Sequence, residues 1–374
     1  MVDNGNRTNL MTGVLQMMMG TVASGQIMLP AASIILYEGT VASIPSPWVF
    51  CNGSNSTPDL RNKYIRGADG STIALNATGG ATTAQITGTS STDGAHSDIF
   101  GCASNGGGAQ SRNGPGNSAH AHSLAGDMDW KPPSREVIAI RTPIEASLPA
   151  NAVVWINGTL ANGCTALTAM QNRFALCVTA DSRTQVGSDN RAMTVSVTSG
   201  GSHSHTGIAG YDAPGGGGGI IQIPAGAHVH TSISDTIAIN KPPYVALLCA
   251  TVDSATGAFT SLVIGYNGSL ASIPSTWKLC DGTNSTRDLV GKSPIGSGGS
   301  FILGATGGSS SNQSITGTGS VASATVVHNH GVPTEEGAQA DHSSYSWTHS
   351  HASWSGTATV MPPWHALYMI EYKG

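Results

Sequence analysis

Two long stretches of this chain are closely similar to each other, and this internal repetition limits the possible folds more than any other feature. Residues 34–67 (IILYEGTVASIPSPWVFCNGSNSTPDLRNKYIRG) align without a gap with residues 263–296 (VIGYNGSLASIPSTWKLCDGTNSTRDLVGKSPIG). Identical pairs in this alignment include Tyr37 with Tyr266, Trp48 with Trp277, and Cys51 with Cys280. Similarity in constant register over this length indicates a duplicated structural unit.

A weaker copy lies between these two. Residues 153–160 (VVWINGTL) match the opening of the other copies, but the middle copy lacks the Trp-x-x-Cys-x-Gly element. All three copies end alike, with KPPSREVIAI at 131–140, KPPYVALLCA at 241–250 and MPPWHALYMI at 361–370. Pro-Pro followed by an apolar run predicts a rigid start to a buried closing strand.

These patterns define the expected domains. We predict a leader at residues 1–32, then repeats at 33–143, 144–254 and 255–374, the second of them degenerate. The leader is Met-rich and matches nothing downstream. One interpretation is a flexible segment with a short helix, and the other is an attachment segment whose methionines pack into a partner protein.

Paired histidines recur along the repeats. The five His-x-His tripeptides are His120-Ala-His122, His203-Ser-His205, His228-Val-His230, His328-Asn-His330 and His349-Ser-His351, and His96-Ser-Asp98 resembles a sixth. Residues two apart on an extended strand face the same side, so each tripeptide aims two imidazoles at one point. Because the tripeptides fall at matching places in the repeats, we predict that each repeat projects two β-arms, a first and a second, which carry metal ligands.

The number of imidazoles suggests which metal they bind. Three strands around one axis, each with two imidazoles, supply six nitrogen ligands, which suits octahedral iron better than four-coordinate zinc. The predicted ligands are His96, Asp98, His203, His205, His328 and His330 on the first arms, and His120, His122, His228, His230, His349 and His351 on the second. Ligating imidazoles are neutral, so the metal should be lost as the pH falls through about 6.5. An ion with every position filled is structural rather than catalytic.

Composition narrows the class of protein. Charged residues make up 10% of the chain, against about 25% in typical globular proteins, and there are 49 glycines. A surface of Ser, Thr, Asn and Gly suits a β-rich fibre or adhesin better than a metabolic enzyme. The net charge of −5 gives no basic stripe for nucleic acid. The six cysteines form no CxxC pair, and we expect them to be reduced and buried.

The repeated motifs also resemble a known family. The IPxxWxxCxGxNxTxDL segment, the Gly-rich stretch with His-x-His arms and the closing Pro-Pro strand are similar to the phage tail collar domain, found in short tail fibres and at the tips of long tail fibres. The resemblance covers residues 33–374 and is strongest in the first and third repeats. It implies a mainly β fold in which three collar domains wind together, iron on the threefold axis between His-x-His pairs, a distal tip that contacts the host receptor, and a place in the virion tail after assembly in the host cytoplasm.

Three repeats in one chain allow two arrangements. They can surround a pseudo-threefold axis within one chain, or stack along the axis of a homotrimer. About a dozen residues separate Ile140 from Val153, and likewise Ala250 from Leu262. Such short connections place the next repeat alongside rather than beyond the arms, which favours the pseudo-trimer.

The segments that join the arms should form the distal tip. Residues 99–118, 206–226 and 331–348 are Gly-rich and differ from one another, although the sequence around them repeats. Diverged loops on a repeated frame are typical of a binding surface. The predicted receptor-binding residues are Tyr211, Asp212, Glu335, Glu336, Tyr345, Trp347 and Arg112, the alternative being that the aromatic ones pack inside the tip.

The sequence therefore predicts a non-enzymatic tail-fibre or tail-tip adhesin that binds a host-surface glycan or protein and attaches to other tail proteins through its leader. A second interpretation is a structural connector or collar that binds only phage proteins. A third, a His-rich metalloenzyme, would need an open coordination position. The chain contains no GxSxG or HExxH motif.

Overall fold

The computed structural model describes residues 27–90, 99–102, 110–113, 123–129, 131–179, 183–188, 190–197, 205–208, 221–223, 233–238, 241–253, 259, 261–310, 313–317, 321–329, 344–351, 354–358 and 361–374. The protein is mainly β, with 45% strand, almost no helix and an eight-stranded closed barrel. The helices of the described residues are the short 3-10 turns Val41–Ser43, Thr168–Met170 and Leu270–Ser272. None of the helices in these ranges is long and apolar enough to cross a membrane.

The strands are numbered along the chain. Up to residue 147 they are β1 (Met28–Leu29), β2 (Ser33–Tyr37), β3 (Val49–Phe50), β4 (Lys63–Ala68), β5 (Thr78–Gly79), β6 (Thr83–Ser90), β7 (Ile99–Cys102), β8 (Gln110–Asn113), β9 (Ser123–Asp129), β10 (Ser134–Arg141) and β11 (Ala146–Ser147). Up to residue 252 they are β12 (Ala152–Ile156), β13 (Cys164–Ala166), β14 (Phe174–Cys177), β15 (Gln185–Val186), β16 (Asn190–Val197), β17 (His205–Ile208), β18 (Ile221–Ile223), β19 (Ile233–Ala238) and β20 (Tyr244–Val252). The rest are β21 (Leu262–Tyr266), β22 (Trp277–Leu279), β23 (Ser293–Gly296), β24 (Thr306–Gly307), β25 (Gln313–Gly317), β26 (Val321–Asn329), β27 (Ser344–His351), β28 (Trp354–Ala358) and β29 (Trp364–Tyr372).

For description we divide the chain into a first segment (33–143), a middle segment (144–254) and a last segment (255–374). Each segment begins with an opening strand, which is β2, β12 or β21, and ends with a closing strand, which is β10, β20 or β29. Every residue of the three opening strands is buried. Continuous apolar runs such as SIILY and AVVWI are typical of strands with both faces covered.

The opening and closing strands belong to a fifteen-stranded sheet, here called the base. Each opening strand pairs with the closing strand of its own segment in antiparallel fashion. The three opening strands also pair with one another. Each closing strand pairs in parallel with a strand of another segment, β10 with β14, β20 with β23 and β29 with β4. The base therefore interleaves all three segments instead of dividing into separate sheets.

Strands β6–β9, β16–β19 and β25–β28 belong to sheets separate from the base, here called together the arm region. Two strands from each segment join a six-stranded sheet in the order β19-β16-β9-β6-β28-β25. Three separate hairpins lie between these strands in the sequence, namely β7 with β8, β17 with β18 and β26 with β27. Each segment thus contributes strands to the base, then a pair to the six-stranded sheet, and a hairpin between the members of that pair.

The middle segment keeps a strand where the sequence suggested a loss. The Trp-x-x-Cys-x-Gly residues are absent, yet β13 pairs with the closing strand β20, as β3 pairs with β10 and β22 with β29. The Leu167 N–H donates to the Cys249 carbonyl at 2.8 Å, and the Cys280 N–H donates to the Met369 carbonyl at the same distance. A strand edge needs backbone pairing more than particular side chains, so different residues fill this place.

The start of the base also differs from the expected boundary at residue 33. β1 lies within the predicted leader and pairs with β11, which connects the first two segments. Ile27 and Leu29 are buried in the main hydrophobic core. Apolar side chains of residues 27–32 therefore pack in the core of the base, although β1 and β11 form a two-stranded sheet of their own.

Candidate functional site

Most of the predicted metal ligands lie outside the described residues. These are His96, Asp98, His120, His122, His203, His228, His230 and His330. The other four fall in strands of the arm region, with His205 in β17, His328 in β26, and His349 and His351 in β27. Only the backbone of these four is described. Among the described residues, no group of three or more His, Cys, Asp or Glu side chains is placed to hold a metal ion.

The register of the last hairpin separates the two histidine tripeptides of that segment. On β26 and β27, His328 lies opposite Tyr345, whereas His349 lies opposite Ala324. His349 is four residues along β27 from the level of His328. At about 3.3 Å per residue, this separation is roughly 13 Å. First-arm and second-arm histidines of the last segment therefore sit at different heights along one hairpin.

Of the predicted receptor-binding residues, some lie outside the described residues and others lie in strands of the arm region. Tyr211, Asp212, Glu335 and Glu336 lie outside the described residues. Arg112 lies in β8, opposite Phe100. Tyr345 and Trp347, which the sequence placed in a joining loop, lie instead in β27, where Trp347 pairs with Val326. The alternating sequence SYSWT suits a paired strand better than a loop, because aromatic and small polar residues alternate between its two faces.

His365 on the closing strand β29 is a packed histidine, as expected. It is buried, and its Nε2 lies 3.1 Å from Asn76 Oδ1. Burial, together with the smaller effect of the positive charge of Lys63, lowers the pKa of His365 to about 4. His365 is therefore neutral over the physiological pH range, and its place in the core is structural.

The described cysteines agree with the expectation of reduced, buried thiols. Cys51, Cys177, Cys249 and Cys280 are free and buried, and Cys164 is free and half-buried. Burial raises the pKa of Cys177 to about 12 and that of Cys164 to about 11. Thiols held neutral in this way are poor nucleophiles and metal ligands.

The centre of the base contains residues from all three segments. Two small cavities lie there, one lined by the opening strands and the other by the strands β4, β14 and β23. At the matching fourth position of the opening strands, the side chains are very unequal: Leu36, Trp155 and Gly265. All three line the first cavity. A Cβ atom at Gly265 would lie 3.1 Å from Leu367 Cδ1, so little room is left for a side chain at that position.

Backbone hydrogen bonds link the segments in a closed order. The Asn62 N–H of the first segment donates to Cys177 O of the middle segment. The Asn172 N–H of the middle segment donates at 2.9 Å to Gly296 O of the last. The Gly291 N–H of the last segment donates at 2.9 Å to Gly67 O of the first, which completes the circuit.

The three donors share an unusual backbone conformation. Asn62, Asn172 and Gly291 have φ values of 58°, 59° and 70°. Asn and Gly tolerate this left-handed region better than other residues. The Asn/Gly choice at these positions is a sequence signal for the inter-segment bonds, although it indicates only a turn until the partner carbonyls are known.

At two of these links, the backbones of two different segments lie very close together. A Cβ atom at Gly67 would overlap the Leu289 carbonyl, and one at Gly296 would overlap the Met170 carbonyl. Both glycines face a backbone atom of another segment. The borders between segments therefore depend on glycine, which was not evident from sequence in a chain with so many glycines.

Comparison with protein-family models, with curated proteins and with solved structures gave no match. The tail collar resemblance consequently rests on the sequence motifs themselves.

Proposed function

We propose that this protein is a phage tail-fibre or tail-tip adhesin that binds a host-surface receptor during adsorption and has no enzymatic activity. The observation that carries the proposal is the combination of an interleaved base with hairpins outside it, two of which carry histidines (His205, His328, His349 and His351). Such an arrangement suits a rigid mount that presents a distal surface. The low charge and the tail collar resemblance of the repeats support the same interpretation.

We further propose that the three segments are tandem collar-like repeats around a pseudo-threefold axis within one chain. The parallel pairings β10 with β14, β20 with β23 and β29 with β4 support this arrangement, since each joins one segment to the next in cyclic order. The circuit of backbone hydrogen bonds from Asn62, Asn172 and Gly291 supports it independently.

The side chains at the centre favour a single chain over a homotrimer. In a homotrimer with stacked collars, each axial layer would contain three copies of the same residue. Three Trp155 indoles would crowd one layer, and three Gly265 residues would leave another empty. One chain with Leu36, Trp155 and Gly265 in a shared layer balances large and small side chains, as close packing requires.

The proposed metal is structural iron in two sites. First-arm residues would provide five histidines and Asp98, and second-arm residues six histidines. The rough 13 Å between the levels of His328 and His349 is consistent with two separate ions rather than one. Bound iron would supply only crosslinks between arms, and the residues of the chain would hold it with neutral imidazoles.

Receptor contact is proposed for the distal ends of the hairpins. Tyr211, Tyr345 and Trp347 would stack on sugar rings or apolar receptor groups, and Asp212, Glu335, Glu336 and Arg112 would make polar contacts. Residues 1–26 would attach the base to another tail or baseplate protein.

Adsorption of phage particles tests this function. Deleting residues 209–220 or 331–343, which lie between the paired strands of the second and third hairpins in the sequence, should leave particles intact but abolish adsorption to the host. Particles that fail to assemble would instead support the structural connector. Degradation of host polysaccharide by the purified protein would contradict the non-enzymatic assignment.

Mass and metal content test the architecture. The untagged protein should be a monomer that contains two iron ions. A trimer with five or more ions would support stacked collars, and protein free of transition metal would refute the proposed sites.

A further inference from the structure

Three matching pairs of side chains lie at the borders between segments, and one of them holds a charge that has no counterion among the described residues. The first, here called the glutamate pair, consists of Glu371 and Asn157. Glu371 of β29 lies opposite Val263, and Val263 lies opposite Trp155 of β12. Asn157 follows Trp155 by two residues, so its side chain shares the face of Glu371. Asn157 Nδ2 lies 3.2 Å from each carboxylate oxygen of Glu371.

The equivalent pair between the last and first segments, here called the arginine pair, consists of Arg141 and Asn267. Arg141 of β10 lies opposite Ile34, and Ile34 lies opposite Gly265 of β21. Asn267 follows Gly265 by two residues, which is the same step as in the glutamate pair. The side chains of Arg141 and Asn267 therefore start from places equivalent to those of two side chains in direct contact.

The third pair is Thr251 with Glu38. Thr251 lies opposite Val153, Val153 lies opposite Leu36, and Glu38 follows Leu36 by two residues. The Arg135 guanidinium donates from Nε to Glu38 Oε1 at 2.9 Å. The acid of this pair is therefore neutralised within the base.

Charge compensation differs among the three pairs. Glu371 is fully buried, and Lys373 Nζ lies 2.8 Å from its carboxylate. By contrast, within the described part of the chain, Arg141 Nε is buried and has no hydrogen-bond partner, and neither has the buried Asn267 Oδ1. In the glutamate pair, Arg287 Nε also donates to Asn157 Oδ1. The positions of the first segment that match Lys373 and Arg287 are Pro143 and Pro58, so no charged group takes their place.

Arg141 as a residue is partly buried, and the buried part includes Nε. Burial raises the pKa of the Cys51 thiol well above its usual value, the neighbouring Cys177 adds to this rise, and the positive charge of Arg141 opposes it. A guanidinium N–H that is buried without an acceptor is costly, whereas a planar guanidinium binds an oxyanion through two parallel hydrogen bonds.

We propose that Arg141 and Asn267 form a binding site for an oxyanion at the border between the last and first segments. Phosphate, sulfate and carboxylate share the required chemistry. Arg141 would donate through its guanidinium and Asn267 through its amide Nδ2, since amide orientation is set by the partner present. This site is independent of the proposed iron sites and of receptor binding.

Thermal unfolding of the full chain in millimolar inorganic phosphate, at constant ionic strength set with chloride, tests the site. Phosphate should raise the midpoint of unfolding in a saturable way, because a ligand that binds only the folded state stabilises it. Arg141→Met should abolish this rise. Arg287→Met, which removes the arginine that donates to Asn157 Oδ1 in the glutamate pair, should retain it. A rise that persists in Arg141→Met would overturn the proposal.

A second variant distinguishes loss of the anion site from loss of folding. The double variant Arg141→Glu with Pro143→Lys copies the spacing of Glu371 and Lys373, so it should fold and show no response to phosphate. No response of the unmodified protein to phosphate would overturn the site.

Discussion

The base and the arm region are both built from β-strands, but their strands differ in what they bury. The opening strands of the base are continuous apolar runs and are buried at every residue. The arm strands β6 (TAQITGTS) and β28 (WSGTA) are instead rich in Thr, Ser and Gly. Burial of apolar surface contributes roughly 25 cal/mol per Å², so the base can be stable through its own core.

This contrast suggests a division of roles along the chain. The arm strands have few large apolar residues, and a thin β-structure of this composition needs another source of stability. In the proposed function that source is metal coordination by the histidines. The base should therefore depend on packing and the arm region on metal, and the two dependences can be separated.

Removal of the metal should have the largest effect, and only on the arm region. Treatment with a strong chelator at pH 7.5 should make residues 83–129, 190–238 and 313–358 much more sensitive to protease, since the crosslinks between arms are lost. The base should survive as a resistant core, detected by mass spectrometry of the fragments. Equal protection of the arms before and after chelation would remove the distinction between the two regions.

Within the base, Trp155→Ala should be the most destabilising substitution. Trp155 is 5% exposed and lies at the shared centre of the three segments. Loss of a buried aromatic side chain costs about 3–5 kcal/mol. Chemical denaturation followed by circular dichroism measures this change.

Ile302→Ala provides the control for this substitution, because Ile302 is 79% exposed and should change stability by less than about 0.5 kcal/mol. Similar losses for the two variants would show that the centre of the base is not its packing core.

Substitution of the border glycine Gly67 should also destabilise the base, by less than Trp155→Ala does. Gly67→Ala places a Cβ atom against the Leu289 carbonyl and should destabilise the base by about 1–3 kcal/mol, because the backbone must shift. Gly158→Ala is the matched control, since its added Cβ would meet only ordinary contacts, the nearest at 3.6 Å. Denaturant midpoints of the two variants give the comparison, and equal midpoints would contradict close packing at this border.

The free energy of unfolding of the base should also depend on pH. Because His365 has a folded-state pKa of about 4, below its ordinary value near 6.5, the unfolded chain binds the proton more readily. The contribution of His365 is complete above pH 6.5 and is lost as the pH falls towards 4, by about 2–3 kcal/mol.

His365→Gln should flatten this part of the stability profile. Unfolding measured in chelator, between pH 7.5 and 4, excludes any contribution from metal in the arms. An unchanged slope in the variant would assign the acid sensitivity to other groups.

Local sequence patterns predicted much of the base. The apolar runs at 153–160 and after each Pro-Pro correctly indicated buried opening and closing strands, and His365 was correctly placed as a packed residue. The same patterns missed β1 in the leader and β13 in the middle segment, because two- and three-residue strands contain too few residues for a periodic signal. Tyr345 and Trp347 were assigned to a loop because they lie between the two His-x-His tripeptides of the last segment, where a connection between arms was expected.

The sequence by itself determined which stretches of the chain resemble one another and which residues are apolar enough to be buried, since composition and short-range periodicity are local properties. Only the tertiary structure decided how the segments exchange strands, which carbonyl approaches Gly67, and that Arg141 meets no counterion among the described residues. These features depend on strand register between residues more than a hundred positions apart. That register is chosen by the packing of the whole base, so no local pattern encodes it.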